Sequence, residues 1–301
     1  MKNIGIAIAA PAGYALDDAA LARGIARLEA QGCIVHNYYD SSAIFQRFAA
    51  TDDGRLAQLD TAAADPDCQL VVMLRGQYGM SRILPRIDFR KMADSGKLFV
   101  GYSDITAFHM GLYQATGQIS FAGPMLNGDF ARDEPSEYTM SQFWDCLRGP
   151  THTVRGTAAG NPLVDVEGTL WGGNLAMVNH LLGTPFWPQV DGGILFLEDI
   201  GEHPYRVERM LLQLHFAGVL ARQKAIVLGD FSGYRLSPAD NGYDFDAMLA
   251  FIRATVPVPV LTGLPFGHIK DLCTLPFGAQ AHLLSDAEGF DLTVSGYPTL
   301  P

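Results

Sequence analysis

Ser103 lies in the stretch VGYSDITAF, at the end of an apolar run and immediately before a helical pattern. Its hydroxyl can cap the following helix, satisfying backbone N–H groups that have no acceptor in the first turn. It can also be a nucleophile, provided a neighbouring base removes its proton. Three other stretches carry residue types of chemical interest. LEDIGEHPYR gathers Glu198, Asp199, Glu202 and His203 after an apolar strand; read locally, they are acids at a helix N-terminus and a solvated turn. GLPFGHIKD sets His268 in a loop between two β patterns, where a histidine can be merely exposed or can serve catalysis. LRGQYGMSR places Gly76, Gln77, Arg75 and Arg82 at a strand end. That stretch fits a tight turn with surface charges, or a pair of guanidiniums able to hold a carboxylate bidentately. A further stretch, LWGGNLAMVNHL, reads as packing around a glycine turn.

The elements that must position these residues alternate in the first half of the chain. NIGIAIAA is a strand, ALDDAALARGIARLEAQG a helix closed by Gly32, and CIVHNYY a second strand. A helix through DDGRLAQLDTAAAD leads to the strand CQLVVMLRG and a short helix near Ser81 to Leu84; the strand KLFVGYS and the helix ITAFHMGLYQATG follow. Apolar strands separated by helices imply a parallel sheet covered on both faces. In such doubly wound (Rossmann or flavodoxin-like) sheets, ligands sit beyond the carboxyl ends of the strands. LRGQYG and GYSDIT both fall at such ends. The pattern changes after about Phe130: a polar-faced helix, RDEPSEYTMSQFWDCLRG, is followed by a Gly/Thr/Pro-rich stretch. The expected division is an N-terminal α/β domain over 1–150, a linker over 151–165 and a smaller mixed β/α domain over 166–301.

At 301 residues the chain is long enough for two domains of about 150 residues each. A net charge of −11 argues against nucleic acid or an anionic membrane surface as partner, but leaves room for a small anionic substrate in a locally basic pocket. Cys33, Cys68, Cys146 and Cys273 are scattered without C-x-x-C spacing, which suits a reducing compartment. The apolar start reads as a strand rather than a signal peptide, and no run approaches the roughly 20 residues of a membrane span. The expectation is a cytoplasmic protein that acts on a small molecule.

Taken in order, the blocks APAGY, RGQYGMSR, GYSDIT, GPM, EGTLWGGNLAM, FLEDIGEHPYRVERML, QKAIVLGDFSG, GLPFGH and TLPFGAQA span most of the chain. Together they resemble the LD-carboxypeptidases, the murein tetrapeptide carboxypeptidases of cell-wall recycling, and the related microcin C self-immunity peptidases. The resemblance implies a Ser–Glu–His triad, with Ser103 as nucleophile, Glu198 as acid and His268 as base, in a cleft between the domains. It implies hydrolysis of L-Ala–γ-D-Glu–meso-diaminopimelate–D-Ala to release D-Ala, no cofactor, and a homodimer. On this reading the N–H of Asp104, at a helix N-terminus, would stabilise the tetrahedral oxyanion, with a second donor from the Gly76–Gln77 turn. The family usually reads RGGYG where this chain has RGQYG. If that position needs a positive φ, Gln77 is strained there.

Rival functions leave other marks. A microcin-type peptidase would share the same blocks and differ only in substrate. A non-catalytic nucleotide- or sugar-binding protein could use the same domain, but the first βα turn, IAAPAGYALDD, lacks G-x-G-x-x-G. No H-E-x-x-H pattern or histidine-rich cluster points to a metallohydrolase, so no metal is expected.

Overall fold

A computed structural model describes residues 4–157 and 160–301. Residues 1–3, which include the first residue of the expected opening strand, and 158–159 of the expected linker lie outside the described residues. Among the described residues, no helix is long and apolar enough to cross a membrane.

The alternating isoleucines at the start form β1 (Ile4–Ala9), buried along its whole length. It is followed by β2 (Cys33–Asn37), β3 (Leu70–Met73), β4 (Leu98–Gly101) and β5 (Ser120–Ala122). Between and after them run α1 (Asp18–Ala30), α2 (Asp52–Ala64), α3 (Met80–Ile83), α4 (Phe89–Asp94) and α5 (Thr106–Thr116). Capping explains where several of these helices begin: Asp17 accepts from the Ala19 N–H, Thr51 from Gly54 and Asp88 from Lys91. The five strands pair in parallel in the order 2-1-3-4-5. That order is flavodoxin-like, with its switch point between β1 and β3. The loops leaving β1, β3 and β4 therefore converge at one edge of the sheet. The Gly13 N–H donates to the Gly76 carbonyl across that switch point at 3.0 Å.

After α6 (Glu137–Arg148), a second sheet takes over, built from β6 (Thr151–Gly156), β7 (Asp165–Asn174), β8 (Ile194–Glu198), β9 (Ala225–Leu228), β10 (Val260–Thr262), β12 (Gln280–Ser285) and β13 (Phe290–Ser295). The order is 10-9-8-7-12-13-6, parallel from β7 to β10 and antiparallel through β12, β13 and β6. Helices α7 (Leu175–Leu181), α8 (Pro204–Phe216) and α9 (Phe245–Thr255) complete this half.

Two details correct the expected division. The supposed linker 151–165 contains β6, which pairs with β13 at the sheet edge. Its residues alternate exposed and buried, as a half-buried edge strand requires. In addition, β11 (Leu275–Phe277) leaves the second half and pairs antiparallel with β5, so the 166–301 segment contributes an edge strand to the first sheet. The loop that carries His268 thus runs from β10 of the second sheet to β11 at the edge of the first.

Candidate active site

Ser103 follows the end of β4 and opens a short 3-10 turn that runs into α5. Its φ is +63°, a left-handed backbone that costs a non-glycine residue about 1–3 kcal/mol. Such strain turns the side chain out of the strand-to-helix corner, the purpose a nucleophile elbow serves, without the second glycine of G-x-S-x-G. The corner is gripped from behind. His109, fully buried on α5, donates from Nε2 to the Gly101 carbonyl and accepts at Nδ1 from the Ser120 hydroxyl, each at 2.8 Å. Burial pushes the His109 imidazole down to about 4, so it stays neutral in this role.

His268 comes from the loop between β10 and β11, and its Nε2 lies 3.1 Å from Ser103 Oγ. On its other side, Nδ1 lies 2.8 Å from Glu198 Oε2. A carboxylate can only accept, so Nδ1 carries the proton, and the Nε2 lone pair faces the serine hydroxyl. Tyr102 packs edge-on against the imidazole, ring centroids 5.1 Å apart, and fixes its plane. Burial alone would lower the His268 pKa. The hydrogen bond to Glu198 and the charges of Glu198, Asp199 and Asp129 outweigh it, so the pKa is raised above the ordinary 6.5.

Glu198 is the last residue of β8 and is fully buried. Its second oxygen accepts from Asn174 Nδ2 at 3.2 Å, and the same amide group donates to Asp199 Oδ1 at 3.0 Å. Asp199 also accepts from the Ala176 and Ile200 N–H groups, both at 2.9 Å. Burial, and then the adjacent Glu198 charge, push the Asp199 carboxyl up to about 6. Glu202 and His203, the other members of that sequence cluster, take no part in this chain of hydrogen bonds. His203 caps α8 and meets Asp240 at 3.1 Å, while Glu202 meets Arg206 at 3.6 Å.

The expected oxyanion residues lie beside the serine. A β-carbon on Gly76 would sit 2.9 Å from Ser103 Cβ, 3.0 Å from its Oγ and 3.5 Å from the Asp104 nitrogen. Gln77 has a φ of +67°, so the position does require the left-handed region and the glutamine is strained there. Because the Gly76 carbonyl turns towards Gly13 and the peptide is trans, the Gln77 N–H points the other way. Neither Gly76 nor Gln77 N–H has a protein acceptor among the described residues, and the Asp104 N–H lies in a first turn, where no helical acceptor reaches.

Of the two candidate arginines, Arg82 is already engaged. It holds Asp52 through Nε at 3.2 Å and a terminal nitrogen at 3.0 Å, and stacks 4.8 Å over the Phe48 ring. Arg75, half-buried and adjacent to Gly76, has no carboxylate partner among the described residues and donates to the Tyr14 carbonyl at 3.2 Å. Of the pair, Arg75 is the cation still open to an anion.

Sequence reasoning missed Asn174, the buried Asp104 carboxylate and Arg55. The only signal was position: Asn174 follows a Gly-Gly pair at a strand end, and Asp104 follows the serine. A separate cluster, His36, Asp65 and Cys68, brings three metal-ligand types within 4.8 Å of one another. Its atoms are committed to each other: Tyr38 donates to Asp65 at 2.7 Å, the Cys68 thiol donates to it at 3.1 Å, and His36 Nδ1 lies 2.5 Å away. Burial, and then Asp65, push the Cys68 thiol up to about 12, and the buried Lys97 ammonium binds the Asp65 and Cys68 carbonyls. A protonated thiol beside an ammonium serves as a structural tie between β2, β3 and β4.

A serine, an imidazole and a carboxylate in line at the carboxyl edges of two sheets form the constellation of a serine hydrolase. Comparison with known proteins narrows the class. Residues 6–123 match the LD-carboxypeptidase N-terminal domain and residues 167–283 the LD-carboxypeptidase C-terminal domain. The chain is 34% identical to a probable murein peptide carboxypeptidase of Bacillus subtilis, over 77% of this chain and 74% of that one. It is 31% identical to the murein tetrapeptide carboxypeptidase of Pseudomonas aeruginosa, over 92% of each. The crystal structure of muramoyltetrapeptide carboxypeptidase from Oxalobacter formigenes superposes with a TM-score of 0.94 at 52% identity, covering 98% of this chain and all of that one. The microcin C7 self immunity protein, with a TM-score of 0.89 at 23% identity over 99% and 97% of the two chains, shares the fold. The chain belongs to the LD-carboxypeptidase family and is a serine-type carboxypeptidase.

Proposed function

We propose that this enzyme releases D-Ala from the murein tetrapeptide L-Ala–γ-D-Glu–meso-diaminopimelate–D-Ala in peptidoglycan recycling. The observation that carries the chemistry is the hydrogen-bonded line from Ser103 through His268 to Glu198. Ser103 Oγ attacks the diaminopimelate carbonyl while His268 Nε2 takes its proton. Glu198 holds the Nδ1 tautomer and stabilises the imidazolium. The tetrahedral oxyanion is received by the N–H of Asp104 and one from the Gly76–Gln77 turn. His268 then protonates the leaving amine, and water hydrolyses the acyl-enzyme by the reverse sequence. Arg75 is the candidate for a substrate carboxylate.

The substrate assignment is supported by the murein peptide carboxypeptidases among the relatives. Four buried, free cysteines suit a cytoplasmic setting, and the family resemblance implies a homodimer. The decisive assay compares kcat/KM for four substrates: free tetrapeptide, its L-Ala-terminated isomer, the pentapeptide ending D-Ala–D-Ala, and a microcin-like peptide nucleotide. Inverting the terminal centre swings its carboxylate away from its donor, and a misplacement of about 1 Å costs roughly 10²-fold. The tetrapeptide should therefore be cut fastest, and only while Ser103 is present: Ser103→Ala should abolish release, since loss of a triad serine costs on the order of 10⁶. Preference for the pentapeptide or the L-Ala isomer would overturn the assignment, and preference for the nucleotide would favour the microcin-type reading.

A further inference from the structure

The Gly76–Gly79 turn passes over Ser103 with a strained residue, Gln77, in its middle, so something must hold its two ends. One end is fixed by the 3.0 Å bond from the Gly13 N–H to the Gly76 carbonyl. The other end is fixed twice. Asp104 Oδ2 accepts from the Met80 N–H at 2.7 Å, and Arg55 donates to the Gly79 carbonyl at 2.8 Å. Both side chains are buried, Arg55 completely and Asp104 to within 4%. Arg55 also binds the Pro11 carbonyl and Asp52, and stacks 4.7 Å over Phe48, so it joins the loops leaving β1 and β3 to α2. The space is closed as well: a β-carbon on Gly79 would meet Ala12 Cα at 2.7 Å and an Arg55 nitrogen at 3.0 Å.

We propose that the Asp104 carboxylate, braced through the turn by Arg55, is a positioning residue that sets the Gly76–Gln77 N–H groups against Ser103. Asp104 thus serves the oxyanion site twice, through its own N–H and through the carboxylate that locates the opposing donor. A buried carboxylate is a costly way to satisfy the backbone N–H groups of Met80 and Gly79, and burial pushes this one up to about 7. The cost is understandable if the bond fixes a turn on which turnover depends. This inference rests on the reading of Ser103 as nucleophile and of the turn as an oxyanion donor.

The test uses the full chain, with kcat and KM for D-Ala release and the rate at which a fluorophosphonate labels Ser103. A phosphonyl oxygen occupies the oxyanion position, so labelling reports the turn directly. Asp104→Ala should lower kcat and labelling by roughly 10²-fold, the scale of an ångström's misplacement, with KM within about threefold. Asp104→Asn, whose amide oxygen can still accept from Met80, should recover most of that loss. Should the alanine variant fail to fold, Asp104→Leu keeps the volume, lacks the acceptor and should show the same loss. Near wild-type kcat in Asp104→Ala or Asp104→Leu would overturn the proposal, as would an Asn variant no faster than the Leu variant. Turnover by Ser103→Ala would instead overturn the nucleophile reading beneath it.

Discussion

Gly173 and Thr106 leave no space between them for a single carbon: a β-carbon on Gly173 would lie 2.5 Å from Thr106 Oγ1. Thr106 begins the helix that follows Ser103, and its hydroxyl accepts from the Asn174 N–H at 3.0 Å. Asn174 in turn holds Glu198. This contact therefore ties the helix that follows Ser103 on the first sheet to Glu198 on the second.

Gly173→Ala should consequently damage activity more than stability. Overpacking of this kind costs about 1–3 kcal/mol, and the glycine φ of +130° adds strain for any side chain. A shift of about 1 Å between the halves should cut kcat/KM by roughly 10²-fold. Thr106→Ala in the same chain removes the clashing atom and should restore part of it. Urea denaturation and kcat/KM on the single and double variants check this. A Gly173→Ala enzyme of full activity would show that the contact does not set the triad.

Much of the first sheet was legible because its strands are apolar runs between capped helices; their order was not, since right-handed crossovers suit the Rossmann and the flavodoxin-like order alike. The grouping of Ser103, His268 and Glu198 was legible only through the resemblance of whole blocks; locally, Ser103 read more readily as a cap than as a nucleophile. The strand β7 escaped notice because Gly168, Gly172 and Gly173 interrupt its pattern, each glycine answering to a close approach by a distant backbone or side chain. β6 was hidden by its threonines and by the Gly/Pro-rich chain that follows. Arg55 and Asn174 act through partners far along the chain, a relation no local spacing encodes. The strain at Gln77 could be stated in advance only as a condition, since φ is a property of the turn rather than of the residue.

The pH dependence follows from His268. Its raised pKa places the acid limb of kcat/KM above 6.5, because the imidazole must be neutral to take the serine proton. Glu198→Gln removes the carboxylate whose hydrogen bond and charge do most to raise that pKa, so the acid limb should move to lower pH while kcat falls by roughly 10⁴. The consequence for stability runs the same way. A raised histidine pKa contributes stability below its unfolded value and loses it as pH rises through the folded one. Glu198→Gln should therefore destabilise more at pH about 5.5 than at about 9. Rate profiles and denaturation midpoints at both pH values test the pair. An acid limb that stays in place in the variant would show that Glu198 is not what raises His268.

Arg75 and Arg82 were indistinguishable in the sequence but differ in their partners, and that difference predicts different variants. Arg82, 41% exposed, is held by Asp52 and stacks on Phe48. An exposed pair of this kind contributes about 0–1 kcal/mol, so Arg82→Ala should lower stability slightly and leave KM unchanged. Arg75 has burial without a carboxylate, and burial lowers its pKa as it would for a cation awaiting a counter-ion. A charge-assisted hydrogen bond contributes about 1.5–3 kcal/mol, so Arg75→Ala should raise KM by roughly 10- to 100-fold. Substrate chemistry separates binding from misfolding. Amidating the terminal carboxylate of the tetrapeptide should weaken the wild-type enzyme's kcat/KM by a similar factor, yet cost Arg75→Ala little more. If the two losses multiply instead, Arg75 does not hold that carboxylate. If Arg82→Ala alone raises KM, then Asp52 must release Arg82 when substrate binds, and the assignment of the two arginines is reversed.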